Sequence, residues 1–203
     1  MKNTETFKPA WWLPGPHLQT IWAARHSPKT NFILRRERFE LADGDFLDLD
    51  WLDGKSKSPR VLLVHGLTGC LDAPYMRRIL QAIKNQGWTA ILLHLRGCSG
   101  EPNRLARTYH AGETGDLQTV IAEILRRDKN APLAVVGYSM GGNLLLKWLG
   151  ETRDHNPLTA AVAISVPFDL HKASEKISRG TSRFYQWWLL RNLREFVLDK
   201  FKN

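Results

Sequence analysis

The rhythm of apolar and polar positions changes as the chain is followed. Asn31–Leu41 and Asp45–Leu52 alternate polar with apolar residues around Asp43-Gly44. An Asp-Gly pair between alternating runs predicts an antiparallel hairpin. Asp53 to Pro59 reads as a polar loop, and Val61–Val64 is then apolar without a break, as in a strand covered on both faces. Ala73–Gln86 switches to helical spacing, with Met76, Ile79, Leu80 and Ile83 on one face and Gly87 as the stop. Thr89–Leu95 predicts a second buried strand. Glu113–Arg127 predicts a helix with Glu113 and Asp116 in its first turn and Arg126 and Arg127 in its last, each sign where the helix dipole favours it. Leu133–Val136 reads as a third strand, Gly142–Leu149 as a helix and Thr159–Val166 as a fourth buried strand. Arg183–Phe201 reads as a helix rich in aromatic residues. Strands alternating with helices predict an α/β fold: a mostly parallel sheet with helices on both faces, entered through an N-terminal antiparallel hairpin.

This divides the chain into an irregular Trp- and Pro-rich arm over residues 1–30 (Trp11, Trp12, Pro14, Pro16, Trp22), a core over 31–171, and a basic aromatic segment over 172–203. A length of 203 residues with 43% hydrophobic and 24% charged residues suits one domain with a substantial core. No apolar run is long enough to span a bilayer, and Met1–Ala10 has no apolar signal-peptide region, so cytoplasmic residence is the expectation. Cys70 and Cys98, without a CxxC spacing, predict two reduced thiols and neither a disulfide framework nor a metal site. The net charge is +9, and residues 172–203 hold eight Lys/Arg against three Asp/Glu, or +5 of it. No nucleic-acid module accompanies this charge. Its mixture with Trp and Phe fits a lipid surface, hence peripheral membrane contact, or a buried cap.

The chemistry concentrates at Gly137-Tyr138-Ser139-Met140-Gly141-Gly142, a G-x-S-x-G pattern. The pattern is short enough to arise by chance, so its setting carries the argument. Ala134-Val135-Val136 precedes it and the helical Asn143-Leu144-Leu145-Leu146-Lys147-Trp148 follows, the strand–turn–helix context of a nucleophilic serine. Side chains at Gly137 and Gly141 are expected to collide with each other or with nearby backbone. The helix N-terminus favours developing negative charge. Of the two backbone amides an oxyanion needs, Met140 is expected to supply one. Leu67, in the turn His65-Gly66-Leu67-Thr68-Gly69, is expected to supply the other. His65, at a strand end beside Gly66, reads as structural rather than as a base.

These residues resemble the YheT-like branch of the α/β hydrolases. The resemblance rests on Pro16-His17-Leu18-Gln19-Thr20, His65-Gly66-Leu67, Arg96-Gly97-Cys98-Ser99-Gly100-Glu101, Tyr109-His110-Ala111-Gly112-Glu113-Thr114 and the turn at Ser139, and covers about residues 11 to 170. It implies the α/β-hydrolase fold and acyl transfer on small acyl esters or lipids without a cofactor. It implies an esterase or lipase, with an alcohol O-acyltransferase on the same scaffold as the alternative, and makes 172–203 the start of cap or lid helices.

In this fold an acid and then a histidine follow the nucleophile along the chain. Here one strand follows Ser139 before the cap-like segment, so the resemblance implies a C-terminal truncation and a core incomplete at its C-terminal edge. Only His155 and His171 come after Ser139. His155 is expected at the far end of the helix that leaves the serine. Asp169 and His171 follow the last strand on the correct side and are the candidates for acid and base, with a helix cap as the competing role of Asp169. A missing triad member lowers the rate by about 10⁴ to 10⁶, so this chain is expected to be nearly inactive unless Asp169 and His171 serve. A non-catalytic lipid-binding fragment, or a truncated product with no function, are the remaining readings. The uncharged run 159–166 would leave one sheet edge unpaired, which predicts self-association. Arg96 and Glu101 read as loop braces near the site, with substrate contact as the alternative, His17 and Gln19 as anchors of the arm, and Asp72 as a residue of a helix N-cap region.

Overall fold

The computed structural model describes residues 8–26 and 32–202. Strands β1 (Arg35–Glu40) and β2 (Phe46–Leu52) form the expected antiparallel hairpin. They are followed by β3 (Arg60–Val64), α2 (Pro74–Gln86), β4 (Thr89–His94), α3 (Gly115–Arg127), β5 (Leu133–Tyr138), α4 (Met140–Thr152) and β6 (Ala160–Ile164). Before the hairpin lies α1 (Pro16–Arg25), and after β6 come α5 (Leu170–Ile177) and α6 (Arg183–Lys200). The six strands are ordered β1-β2-β4-β3-β5-β6, antiparallel up to β4 and parallel beyond it.

Alternation along each strand splits the core into two layers. Leu62 and Val64 of β3 face one side, where Val120, Ile121 and Ile124 of α3 and Leu144, Leu145 and Trp148 of α4 cover them. Val61 and Leu63 face the other, against Met76, Leu80 and Ile83 of α2.

The hairpin departs from a simple polar-out alternation, because all seven residues of β2 are buried. Asp48 and Asp50 stand directly opposite Arg38 and Arg36. Each carboxylate takes a bidentate guanidinium, Arg36 to Asp50 at 2.7 and 2.9 Å and Arg38 to Asp48 at 3.0 and 3.1 Å. The arginines lie over the acids and close a face that reads as solvated.

Other boundaries shift for local reasons. Residues 16–25, expected to be irregular, form a helix whose Pro16 occupies a first-turn position where a missing N–H costs nothing. The parts of the arm and hairpin readings that fall on 1–7 and 27–31 lie outside the described residues. The third helix begins at Gly115 because the Glu113 side chain accepts the Gly115 N–H at 3.0 Å instead of joining the helix. The fourth begins at Met140, not Gly142, and runs to Thr152. Strand β6 is shorter than 159–166 and is not buried: Ala160, Ala161 and Val162 are exposed, since among the described residues β6 has a neighbouring strand on one side only, β5. Among the described residues no helix is long and apolar enough to cross a membrane.

Candidate active site

Ser139 is the single residue between β5 and α4. Its backbone has φ 51° and ψ −112°, a conformation that a side chain adopts at a cost of about 1–3 kcal/mol. Its neighbours force this. A Cβ on Gly137 would lie 2.7 Å from the carbonyl carbon of Gly141 and from Cα of Gly142, and one on Gly141 would lie 2.5 Å from the His65 carbonyl oxygen. The turn is therefore tighter than any side chain permits, and it sits directly on the end of β3. The Ser139 N–H donates to Ile164 O at 2.8 Å and its carbonyl accepts Asn143 N–H at 3.0 Å. These bonds tie it to β6 on one side and start α4 on the other. The side chain is exposed.

The turn after β3 abuts this bend: a Cβ on Gly66 would stand 3.2 Å from Cβ of Ser139. Three side chains hold the turn. His65 is fully buried; its Nε2 accepts the Leu95 N–H at 3.1 Å, so Nδ1 carries the proton and donates to Gly66 O at 2.7 Å. Burial pushes its pKa down to about 4, which keeps it neutral and committed to structure. The Gly66 N–H donates to the Tyr75 hydroxyl at 3.3 Å and the Thr68 N–H to the Tyr109 hydroxyl at 2.9 Å. The amides on either side of Leu67 are thus taken, while those of Leu67 and Met140 have no partner among the described residues. Tyr75 and Tyr109 are site residues that the sequence pattern does not single out, although Tyr109 lies in one of the motifs that carry the resemblance.

Asp169 and His171, the candidates for acid and base, have partners of their own in the structure. Asp169 caps α5, accepting the Lys172 N–H at 2.9 Å and pairing with the Lys172 ammonium at 3.3 Å. His171 is 84% exposed, with Nε2 3.5 Å from Glu175 on its own helix. His155 lies in an exposed 3₁₀ turn at the far end of α4. Among the described residues, no hydrogen bond joins Ser139 Oγ to a histidine or a carboxylate.

Arg96 and Glu101 brace the loop after β4. Arg96 is 2% exposed and gives two 2.7 Å hydrogen bonds to Asp116 and one of 2.8 Å to Asp45. Burial opposes ionisation of Asp45, but Asn103, the Arg104 and Phe46 amides and Arg96 hold its pKa down to about 2. Glu101 pairs with Arg38 at 2.6 Å. His17 ties the arm to the C-terminal segment through Tyr185 at 3.1 Å and Thr181 at 3.2 Å. Gln19 bonds Leu13 O within the arm. Asp72 pairs with Arg77 and lies in the N-cap region of α2, directly before the N-cap Ala73.

An exposed serine at positive φ thus stands between a parallel strand and a helix, against the turn that follows β3. The chain is 41% identical over 181 residues to the provisionally named esterase YheT of Escherichia coli (strain K12), covering 88% of this chain and 53% of that protein. It is 32% identical over 197 residues to phospholipase ABHD3 of Homo sapiens, covering 93% of this chain and 47% of that one. The chain therefore spans about half the length of the curated relatives it matches. In structure it resembles the Pyrococcus furiosus esterase Pf2001, with a TM-score of 0.63 at 20% identity over 82% of this chain and 62% of that one, a likeness of fold. Residues 59–202, from β3 through α6, match the sequence profile of the α/β-hydrolase fold, and by that match this chain belongs to the α/β-hydrolase family.

Proposed function

We propose that this chain carries the nucleophile and oxyanion half of a serine ester hydrolase acting on acyl esters or lipids, with Ser139 as nucleophile and the Leu67 and Met140 amides as oxyanion donors. The observation that carries the reading is the Leu67 amide, unpartnered among the described residues and flanked by two amides that tyrosine hydroxyls hold, in a turn packed against the exposed Ser139. In the reaction Ser139 Oγ attacks the ester carbonyl and the carbonyl oxygen gains the negative charge that the two N–H groups receive. The alcohol then leaves with a proton, and water releases the acid from the acyl-serine. The names of the matched relatives, an esterase and a phospholipase, point the same way. With Asp169 engaged as a helix cap and His171 beside Glu175, the serine of this chain lacks an adjacent base in the described geometry. Turnover is therefore expected to be about 10⁴- to 10⁶-fold below that of a complete triad.

The test is a fluorophosphonate probe on a family member with the same motifs and on this chain, read by peptide mass spectrometry. On the longer relative, label at the position of Ser139, lost on its replacement by alanine, is the expected result, and on this chain label is expected only far more slowly; label elsewhere, or none on the longer relative, would refute the assignment. Adding an alcohol acceptor and looking for a new ester separates transfer to alcohol from hydrolysis.

A second reading concerns α6. It exposes Phe184, Trp187 and Trp188, all more than half accessible, among Arg183, Arg191 and Arg194. Basic and aromatic side chains interleaved on one exposed helix suit an anionic lipid surface. Flotation with anionic vesicles is expected to carry the chain, and removing residues 172–203 or raising salt to release it; flotation unaffected by either change would reject this role for α6.

A further inference from the structure

Cys70 and Cys98 are the chain's two cysteines, and separate loops bring them to one place. β3 and β4 are parallel neighbours with Val64 opposite Leu93, so the loops that follow leave the sheet at the same edge. Cys70 lies six residues past Val64 and Cys98 five past Leu93. Both line one cleft of about 320 Å³, together with Thr68, Gly69, Gly97 and Phe196. Cys70 is exposed, Cys98 is half-buried, and both are free thiols. The Cys98 thiol also meets the Tyr109 hydroxyl, the group that holds the Thr68 amide. Glycines at positive φ on the β4 side, Gly97 at 76° and Gly100 at 95°, give that loop backbone freedom that a bulkier residue would lack.

We infer that Cys70 and Cys98 form an oxidisable dithiol, converted by a hydroperoxide into an intramolecular disulfide that ties the turn after β3 to the loop after β4. Cys70, the more accessible sulfur, attacks first: its S–O bond forms as the O–O bond breaks, and the departing alkoxide takes the thiol proton and leaves as alcohol. The resulting Cys70 sulfenic acid is then attacked by Cys98 sulfur. The S–S bond forms, the S–O bond breaks, and hydroxide leaves as water with the Cys98 proton. Two thiols and one hydroperoxide yield one disulfide, one alcohol and one water. Burial pushes the Cys98 thiol up to about 11 against the pull of Tyr109, which disfavours Cys98 as the first sulfur to react. Closure requires the two Cα atoms to come within about 4.4–6.8 Å of each other.

The experiment is hydrogen peroxide on the full folded chain, followed by alkylation, non-reducing digestion and mass mapping. A Cys70–Cys98 peptide pair lighter by two hydrogens is expected, reversed by dithiothreitol. It should form at least about tenfold faster in the folded chain than in the same chain in guanidinium, since the fold supplies the proximity. In Cys98→Ser, dimedone is expected to trap a sulfenic acid at Cys70; in Cys70→Ser, residue 98 is expected to stay unlabelled. Over-oxidation of each sulfur alone, disulfides between chains only, or equal rates in folded and unfolded protein would overturn the inference. None of these readouts involves Ser139, so the outcome is independent of the ester-hydrolase reading.

Discussion

Replacing Arg96 by methionine probes the brace behind the candidate site. The guanidinium is 2% exposed and meets Asp116 through two hydrogen bonds of 2.7 Å and Asp45 through one of 2.8 Å; Asp45 itself is fully buried. Methionine keeps much of the volume and removes the charge, leaving two buried carboxylates without their cation. Breaking a buried pair in this way costs about 3–5 kcal/mol. For a chain of this size that corresponds to a fall in Tm of about 6–20 °C, at about 2–4 °C per kcal/mol. Asp45 retains Asn103 at 2.6 Å and two backbone amides, which argues for the lower half of the range.

The pH dependence follows from the sign of the shift. The folded pKa of Asp45 is about 2, below its unfolded value of about 3.9. Its stabilisation is therefore fully present above about pH 4 and is lost as pH falls toward 2. Without Arg96 its folded pKa rises toward the unfolded one, so the penalty of the substitution shrinks on acidification. Urea unfolding followed by tryptophan fluorescence at pH 7 and pH 4 measures both quantities. A loss under about 1 kcal/mol at pH 7, or a penalty that grows as pH falls, would refute the argument. If the variant does not fold, Asp116→Asn removes one of the two buried carboxylate partners of Arg96 and leaves Asp45 paired, and the loss of stability at pH 7 is read in the same assay.

Three further outcomes follow. Gly141→Ala places a methyl 2.5 Å from the His65 carbonyl oxygen and 2.8 Å from the Val64 carbonyl carbon, so it is expected to cost about 3 kcal/mol or more in the same assay; a loss below about 1 kcal/mol would contradict the packing described. Tyr109→Phe removes the hydroxyl that accepts the Thr68 N–H and is expected to cost about 1–3 kcal/mol, with Tyr75→Phe costing less because its bond is longer, 3.3 against 2.9 Å; the reverse order would show that the turn is held otherwise. Val162→Lys puts a charge on the 48% exposed centre of β6 and is expected to reduce self-association by light scattering, whereas a monodisperse parent chain would leave nothing for it to reduce.

The hairpin, the parallel strands and the serine bend are legible in the sequence because each has a local cause: Asp43-Gly44, unbroken apolar runs, and glycines flanking Ser139. The burial of Asp48 and Asp50 is not, since it depends on Arg36 and Arg38 falling opposite them in the register. The start of α4 is obscured by Gly141 and Gly142, poor helix formers kept there by steric need against β3 and β5. The eight-residue α5 is too short for its spacing to speak, although a helix cap is one of the two roles the sequence offers for Asp169. The clamp on the oxyanion turn is hidden for a simpler reason: its hydroxyls come from residues 9 and 41 positions away along the chain.

The two borders of the sheet differ in a way that constrains assembly. At β1 the alternating arginines are tied to β2 and β1 is clad in charge, whereas β6 ends in bare alanine and valine backbone. Two copies meeting border to border at β6 would be related by a two-fold axis and would build one sheet of twice six strands with an arginine-clad strand at each end. Such a union uses up both bare borders, so growth by this route stops at a pair and does not propagate into a fibre.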